Sequence, residues 1–456
     1  MPSQNKARNP SRRSQKKPRV LGLELAEPRP LDPRLFGVKE HRLGNGLTLR
    51  LLEDRSVPAI SYYTFFKVGS RNERPGRTGI AHLLEHMMFN GAAKYGPKEF
   101  DRVLESNGGH SNAFTSHDMT AYFEDFAAEA LELVVDLESD RMRSLALAPE
   151  ALASEREVVK EERRYAVENS VLGLLDENLQ ALAFQAHPYG WPIIGWMEDI
   201  AAISREDCLE FFRTYYAPNN ATLWVVGDFD SGKALELIER SYADIPSGPP
   251  VPAAASTEPP QRGERRAEVR FPAHAQALAI GYKAPAGTSA DAPVLDVLQY
   301  ALSAGHGGRL VRSLVYERLL AANIFVDFTW HVDPGLFSLL AELNPGVKAE
   351  RALRAIDEEL ERVVDKGLTE TELRRAKGLL RSHLLREIAS NNGRAHALGA
   401  NELLLGDWRR ALDLLRLYAE VRNDDVRRVA AEVLRRERRS VATLVPDLAL
   451  AGGAHD

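Results

Sequence analysis

The stretch IAHLLEHMM, residues 80–88, decides how this chain is interpreted, because it sets two imidazoles and one carboxylate at helical spacing. His82 and His86 are one helical turn apart, so their side chains project from one face and can bind a single metal ion. Glu85 is close enough to that face to hydrogen-bond a water at the metal. Zinc suits imidazole ligands and, with three protein ligands, keeps one position for water. The stretch therefore predicts a zinc site with Glu85 as general base. The alternative is a surface helix with two solvated histidines.

A third ligand is expected from the charged segment EREVVKEERR, which begins at Glu155 and contains no Pro or Gly. Glu155 and Glu162 are two helical turns apart and share a face, and Val158 and Val159 are expected to pack that face inward. This favours Glu162 as the ligand, with Glu161 as the alternative. Glu155 is better suited to orienting a ligand or a water. A solvated helix held by salt bridges is the competing interpretation.

The chain resembles the pitrilysin, insulinase and mitochondrial processing peptidase family of inverzincin metallopeptidases. The resemblance lies in the HLLEH motif, in the MMFNG stretch that follows it at residues 87–91, and in the later glutamate segment. In that family, two histidines and a distal glutamate hold zinc, and the glutamate of the motif activates water. The resemblance therefore implies that His82, His86 and Glu162 bind Zn²⁺ and that Glu85 is catalytic. Manganese or cobalt could use the same ligands.

The stretch GGHSNAFTSHDMTAY also resembles this family, whose members use the corresponding strand edge to pair with an extended substrate. The resemblance implies that Asn112, Ala113 and Thr115 bind substrate through main-chain hydrogen bonds, which demand no particular sequence. An ordinary sheet strand is the alternative. The loop histidines His110 and His117 are expected to be solvated. The predicted function is a zinc metalloendopeptidase that hydrolyses extended or unfolded peptides.

The chain departs from the family pattern in its second half. Where active family cores place an Arg and, seven residues later, a Tyr that polarise the scissile carbonyl, this chain has Tyr316 and Asn323. Each missing donor costs roughly 3 to 4 kcal/mol of transition-state stabilisation. Arg318 and Arg312 are alternative donors. We therefore expect a related family subunit to supply an Arg/Tyr pair in a heterodimer, or a second copy in a homodimer. The alternatives are a non-catalytic peptide-binding or assembly subunit and a metal hydrolase acting on another substrate class.

The length of 456 residues exceeds a single core and predicts more than one domain. We expect a basic disordered N-terminal tail at 1–35, a zinc-bearing domain at 36–245, a Pro-rich linker at 246–263 and a second domain without zinc at 264–450. The predicted fold class is α+β, with two similar domains, each a mainly antiparallel sheet covered by helices. By resemblance, they form half of a clam-shell chamber.

Strand signals recur in both halves of the chain. In the first half, residues 43–52 and 59–68 are predicted to pair around the Asn45-Gly46 turn. In the second half, strands are predicted at 277–282, 325–332, 336–343 and 441–445.

Charge and cysteine content limit the other function classes. The net charge of -6 gives no reason to expect a nucleic-acid partner. No apolar run approaches the length of a membrane span. The lone Cys208 excludes an internal disulfide. The basic N-terminus lacks the apolar core of a secretory signal, so a cytoplasmic location is predicted, with an Arg-rich organelle transit peptide as the alternative.

Overall fold

The computed structural model describes residues 36–253, 256–447 and 449. The predicted basic tail at 1–35 lies outside these residues. Two sheets and the helices that cover them make up the described chain. Among the described helices, none combines the length and the apolar character that crossing a membrane would require.

The first sheet is built from six strands. They are β1 (Lys39–Arg42), β2 (Thr48–Glu53), β3 (Ala59–Phe66), β4 (His110–Thr115), β5 (Thr120–Ala127) and β6 (Ala221–Gly227). Their spatial order is β1-β2-β6-β3-β5-β4, and β2 with β6 is the parallel pair. The prediction that residues 43–52 pair with 59–68 is wrong. The Asn45-Gly46 turn joins β1 to β2, and β6 lies between β2 and β3 because all its residues are buried and need a neighbour on both sides.

The second sheet has five strands. They are β7 (Arg265–Phe271), β8 (Ala277–Lys283), β9 (Ala321–Phe328), β10 (Leu336–Leu343) and β11 (Arg439–Pro446). The order is β7-β11-β8-β10-β9, and β7 with β11 is the parallel pair. β9 begins and ends earlier than the predicted 325–332. β7 was missed because its alternating Arg and Glu side chains conceal a half-exposed edge strand.

Helices cover both sheets. In the first half they are α1 (Ile80–Met87), α2 (Glu99–Ser106), α3 (Leu131–Ser144), α4 (Pro149–Arg163), α5 (Val171–Ala183), α6 (Met197–Ala202), α7 (Arg205–Tyr215) and α8 (Ser231–Tyr242). In the second half they are α9 (Ala292–Ser303), α10 (Ala349–Lys366), α11 (Glu370–Glu387), α12 (Asn391–Leu405), α13 (Arg410–Glu420) and α14 (Asn423–Val433). The α+β class with two helix-covered, mainly antiparallel sheets is confirmed.

Two helices are exchanged between the halves. α5 follows the zinc-motif region in the chain, yet its Leu175 and Leu179 pack against Ala279 of the second sheet. Conversely, α12 lies on the first sheet, where a Cβ on its Gly399 would come within 2.2 Å of the Phe65 ring. Each fully buried Leu contributes about 1.5 to 3 kcal/mol. The exchanged helices therefore stabilise the association of the two sheets. The domain boundaries at 36–245 and 264–450 stay a prediction.

Candidate metal centre

Three side chains converge where α1 packs against α4. His82 and His86 come from α1 and Glu162 from α4, with one ligand atom of each within 4.8 Å of the others. His82 Nε2 is 3.7 Å from Glu162 Oε1, and His86 Nε2 is 3.3 Å from Glu162 Oε2. Ligand atoms about 2.0 to 2.1 Å from a tetrahedral zinc lie about 3.3 Å apart. The donor set and its spacing therefore fit zinc, and the ligand assignment remains a prediction.

The start of α1 is fixed by a buried carboxylate. Glu73 accepts hydrogen bonds from Gly79 N at 2.9 Å and from Ala81 N at 3.0 Å, which satisfies two free amides of the first turn. Gly79 has φ +87°, and a Cβ there would lie 2.4 Å from Ile194 O. Only glycine suits this conformation and this close approach. The zinc-motif helix thus begins at a position that the surrounding backbone holds tightly.

The register of α4 separates Glu162 from its neighbours. The Glu161 side chain is 71% exposed and pairs with Arg164 on the outer surface, so it does not reach the two histidines. Val159 is buried as expected, but Val158 is 47% exposed, so the prediction that both valines pack inward is wrong. Val158 lies one helical turn before Glu162, on the exposed side of α4, whereas Val159 packs into the core.

A further glutamate on α4, Glu155, contacts His86 at the ring nitrogen that does not face Glu162. Glu155 Oε2 accepts a hydrogen bond from His86 Nδ1 at 3.2 Å, which leaves His86 Nε2 directed at Glu162. The Nδ1 atom of His82 is buried and has no hydrogen-bond partner among the described residues. Burial and the neighbouring His86 charge lower the pKa of His82 to about 4. Both imidazoles thus present an Nε2 atom to the third side chain.

Charge and burial act in opposite directions at His86 and Glu162. Burial would lower the pKa of His86, but its contacts with Glu162 and Glu155 raise it. The hydrogen bond from His86 holds the pKa of Glu162 below its usual range, against partial burial. An ionised carboxylate beside two imidazoles is the charge state that binds a divalent cation.

Glu85 lies beside these ligands and contacts the edge strand β4. Thr115 Oγ1 donates a hydrogen bond to Glu85 Oε2 at 2.5 Å. Burial raises the pKa of Glu85, while the Thr115 hydrogen bond opposes that rise. No other hydrogen bond to this carboxylate comes from the described residues. Its Oε1 atom is therefore available to a proton.

The predicted substrate strand forms the free edge of the first sheet. β4 pairs with β5 only, and Ala113 N donates to the side-chain Oδ1 of Asn112 at 2.8 Å. The Ala113 amide thus points away from β5 and toward the free edge. Ala113 and Thr115 line a cavity of about 450 Å³ that also contains His82 and Glu162. Asn112 is not among its lining residues.

Acidic residues of α5 line the same cavity. Asp176 and Glu177 face it, although α5 packs on the second sheet. Burial, with the nearby charge of Asp327 on β9, raises the pKa of Asp176 to about 6. Glu177 is neutralised by Arg163 at 2.7 Å. Sequence reasoning missed this cavity wall, because the wall depends on the exchange of helices between the halves.

The second-half residues considered as donors lie elsewhere. Tyr316 Oη and His306 Nδ1 are 2.5 Å apart, and the Asn323 side chain accepts from Ile324 N at 3.0 Å. Arg318 pairs with Glu358 at 2.8 Å, and Arg312 with Glu317 at 3.4 Å. None of the four lines the cavity among the described residues. Neither arginine therefore substitutes within the chain for the missing donor.

Family profiles match most of the chain. The profile described as Insulinase (Peptidase family M16) matches residues 51–196, and that described as Peptidase M16 inactive domain matches residues 202–380. The fold and these matches define a two-domain chain with the architecture of the M16 peptidases. The chain belongs to the insulinase family, peptidase family M16, and the resemblance inferred from the sequence is confirmed.

Relatives of known name agree with this membership. Zinc protease PqqE of Helicobacter pylori is 33% identical over 89% of this chain and 92% of its own length. An uncharacterized zinc protease of Mycobacterium leprae is 29% identical over 91% of this chain and 93% of its length. The crystal structure of a protease from Helicobacter pylori superposes with a TM-score of 0.87 at 32% identity, covering 90% of this chain and 99% of that chain.

Proposed function

We propose that the chain is a zinc-dependent metalloendopeptidase that hydrolyses peptide bonds in extended or unfolded peptides. The observation that carries the proposal is the convergence of His82, His86 and Glu162 at the spacing a tetrahedral cation requires. The names of its relatives as zinc proteases support the choice of Zn²⁺ and of peptides as the substrate class.

When bound, zinc would supply Lewis acidity to the scissile carbonyl and to the attacking water. His82, His86 and Glu162 would hold it, and Glu155 would keep His86 oriented. Glu85 takes the proton of the attacking water at the free Oε1 atom and returns it to the leaving amine nitrogen. Burial raises the pKa of Glu85, and a carboxylate with a raised pKa accepts a proton more readily than an ordinary glutamate.

The substrate would lie along β4 as an added antiparallel or parallel strand. The outward amide of Ala113 offers main-chain bonding, while Asn112 occupies that amide until a peptide replaces it. Thr115 lies at the end of this edge next to Glu85, which brings a peptide paired with β4 to the proton acceptor. Such an edge pairs with an extended backbone, which is why extended or unfolded peptides are the proposed substrates.

We also propose a second subunit of the same family as partner. The cavity lacks a cation opposite the metal ligands among the described residues, and Tyr316 and Asn323 cannot provide one. A related chain bearing an Arg/Tyr pair, or a second copy in a homodimer, would close the chamber and supply the oxyanion donors. No nucleic-acid partner is proposed.

A non-catalytic role is the second candidate. It is favoured by the absence of the Arg/Tyr pair at Tyr316 and Asn323 and by the match of residues 202–380 to a domain described as inactive. In that role, the β4 edge would bind peptide and the metal would stabilise the fold. A zinc-loaded protein that binds peptides but never cleaves them, even with its partner present, would support this candidate.

The decisive experiment uses Glu85→Gln with Glu161→Gln as its matched control. Both remove one glutamate charge near the site, but only Glu85 faces the cavity. The chain, alone and with a co-expressed related subunit, is given a mixture of unstructured peptides with and without a chelator. We expect Glu85→Gln to abolish cleavage while retaining zinc, and Glu161→Gln to cleave normally. Cleavage by Glu85→Gln, or unchanged zinc content in His86→Ala, would contradict the proposal.

The cytoplasmic location is retained as a proposal. One solved relative, PqqL from Escherichia coli, is described as a periplasmic protease; it shares 18% identity, and this chain covers 48% of its length. Fractionation of cells that produce the full chain would decide between the two compartments.

A further inference from the structure

The turn between β4 and β5 carries a buried carboxylate that the proposed reaction does not use. The Asp118 side chain is 2% exposed. Its Oδ1 atom accepts hydrogen bonds from Tyr189 Oη at 2.7 Å and from Arg71 Nη1 at 3.0 Å. Both donors belong to the first half of the chain. Asp118 therefore joins the β4–β5 turn to two other segments around the cavity.

The second carboxylate oxygen is held by the other half of the chain. The loop between β9 and β10 donates to Asp118 Oδ2 from His331 Nδ1 at 3.1 Å and from Val332 N at 3.2 Å. The same loop is secured by Asp333, whose amide donates to Tyr189 Oη at 3.2 Å and whose carboxylate is 3.1 Å from His187 Nε2. One side chain thus accepts four hydrogen bonds from both halves of the molecule.

The charge of Asp118 is maintained in spite of its burial. Burial alone would raise its pKa, but the hydrogen bonds from His331 and Tyr189 and the charge of Arg71 lower it to about 2. The group is ionised throughout the neutral range. Four donors directed at one carboxylate form an arrangement that a neutral side chain cannot fully replace.

The turn is also pressed against the segment that leads into α1. Ser70 N donates to Ser116 O at 3.1 Å, and Arg71 N donates to His117 O at 3.0 Å. A Cβ on Gly69 would lie 2.3 Å from Ser116 O, so no larger residue permits this approach. The same segment continues to the carboxylate that caps α1. A displacement of the turn would thus shift both β4 and the start of α1.

We propose that Asp118 is a positioning residue for peptide hydrolysis: it fixes the β9–β10 loop against the β4–β5 turn and thereby holds the Thr115 hydroxyl on Glu85. This inference rests on the proposed function. Thr115 precedes the turn by one residue and is the hydrogen-bond donor to Glu85. Asp118 acts through that hydroxyl and touches neither the substrate nor the metal ligands.

The physical argument concerns the accuracy of placement. A catalytic group displaced by about 1 Å can lose on the order of 100-fold in rate. The Thr115 to Glu85 hydrogen bond joins two elements, β4 and α1, that are separated in the chain. Their relative position depends on the packing around the turn, and Asp118 is the buried carboxylate through which the β9–β10 loop joins that packing.

The test is the isosteric variant Asp118→Asn. It keeps the size of the side chain, but in either orientation its amide NH₂ group faces two of the four donors that the carboxylate accepts from. The matched control is Glu402→Gln: Glu402 is also buried, and it joins α12 to Trp224 and Arg50 of the first sheet, outside the cavity lining. Loss of a bridging carboxylate is thus common to both variants, and only one of them adjoins Thr115.

Three measurements are made on the full chain in its active assembly. Zinc content and hydrogen exchange of residues 110–122 report on the site and the turn, and kcat is measured in a cycle with Thr115→Val. We expect Asp118→Asn to bind zinc normally, to exchange faster in 110–122 and to lose roughly 10- to 100-fold in kcat. The double variant should be within about twofold of the slower single variant, because both changes break one interaction. Glu402→Gln should retain kcat and exchange as before in 110–122.

Several outcomes overturn the inference. Wild-type kcat in Asp118→Asn, unchanged exchange in 110–122, or losses that multiply in the double variant would each show that Asp118 does not act through Thr115. If Asp118→Asn does not fold, His331→Ala takes its place in the same cycle, since it removes one donor from a partly exposed loop side chain. Absence of chelator-sensitive cleavage in the unaltered assembly would refute the proposed function itself, which is a separate result.

Discussion

The contact between Glu155 and His86 makes a quantitative prediction about zinc affinity. Glu155→Gln removes the negative charge that accepts the His86 Nδ1 proton at 3.2 Å. Partners of metal-bound histidines typically contribute 10- to 100-fold in affinity. The bond is longer than the 2.7 to 2.9 Å usual for a charge-assisted hydrogen bond, and glutamine still offers an oxygen, so we expect the lower end, about 10-fold or 1.4 kcal/mol. Glu155→Ala, which removes the acceptor, should approach 100-fold.

The measurement is competition for zinc with a chromophoric chelator, at one pH and ionic strength. Glu161→Gln is the control, because it removes a charge from the same helix at a side chain directed to solvent. Its affinity should equal that of the unaltered chain. The reasoning about the site would be refuted if Glu155→Gln bound zinc as tightly as the unaltered chain, or if Glu161→Gln weakened binding by the same factor.

Three further predictions concern buried charge. The folded state lowers the pKa of Asp118 from 3.8 to about 2. The ionised carboxylate therefore stabilises the fold by about 2 kcal/mol above pH 4, and this contribution is lost as the pH falls toward 2. In urea unfolding, the difference in unfolding free energy between the unaltered chain and Asp118→Asn should accordingly shrink at low pH. Arg141→Ala leaves Glu124 and Glu138 buried without their cation and should cost about 3 to 5 kcal/mol of unfolding free energy, measured in the same way. The acidic cavity wall should favour peptides with Lys or Arg over those with Leu beside the cleaved bond, and Asp176→Asn should reduce that kcat/KM preference several-fold.

The three candidate metal ligands could be selected from the sequence because the spacing within each of the two helices is local, and their role as ligands stays a prediction. Helical periodicity alone places His82 beside His86, and the same periodicity separates Glu162 from Glu161. The structure groups the three side chains that this argument selected. The α+β class was also predictable, since strand and helix signals recur in both halves of the chain.

Features that depend on contacts distant in sequence were not predictable. The Thr115 to Glu85 hydrogen bond requires the edge strand β4 to pack against α1, and no local pattern in either segment predicts that contact. His117 was expected to be solvated, yet it is only partly exposed and lies against Ser70 and Tyr189, because the loop between β9 and β10 packs on the Asp118 turn. The position of β6 between β2 and β3 likewise follows from long-range pairing.

The exchange of α5 and α12 has a consequence for biosynthesis. The first sheet is complete once β6 has left the ribosome, but α12, which covers one of its apolar faces, is made only after most of the second half. At 5 to 20 residues per second, the interval is roughly 10 to 40 s. During that time, an apolar β-surface is open to nascent neighbours, and it is covered only when α12 has also left the ribosome.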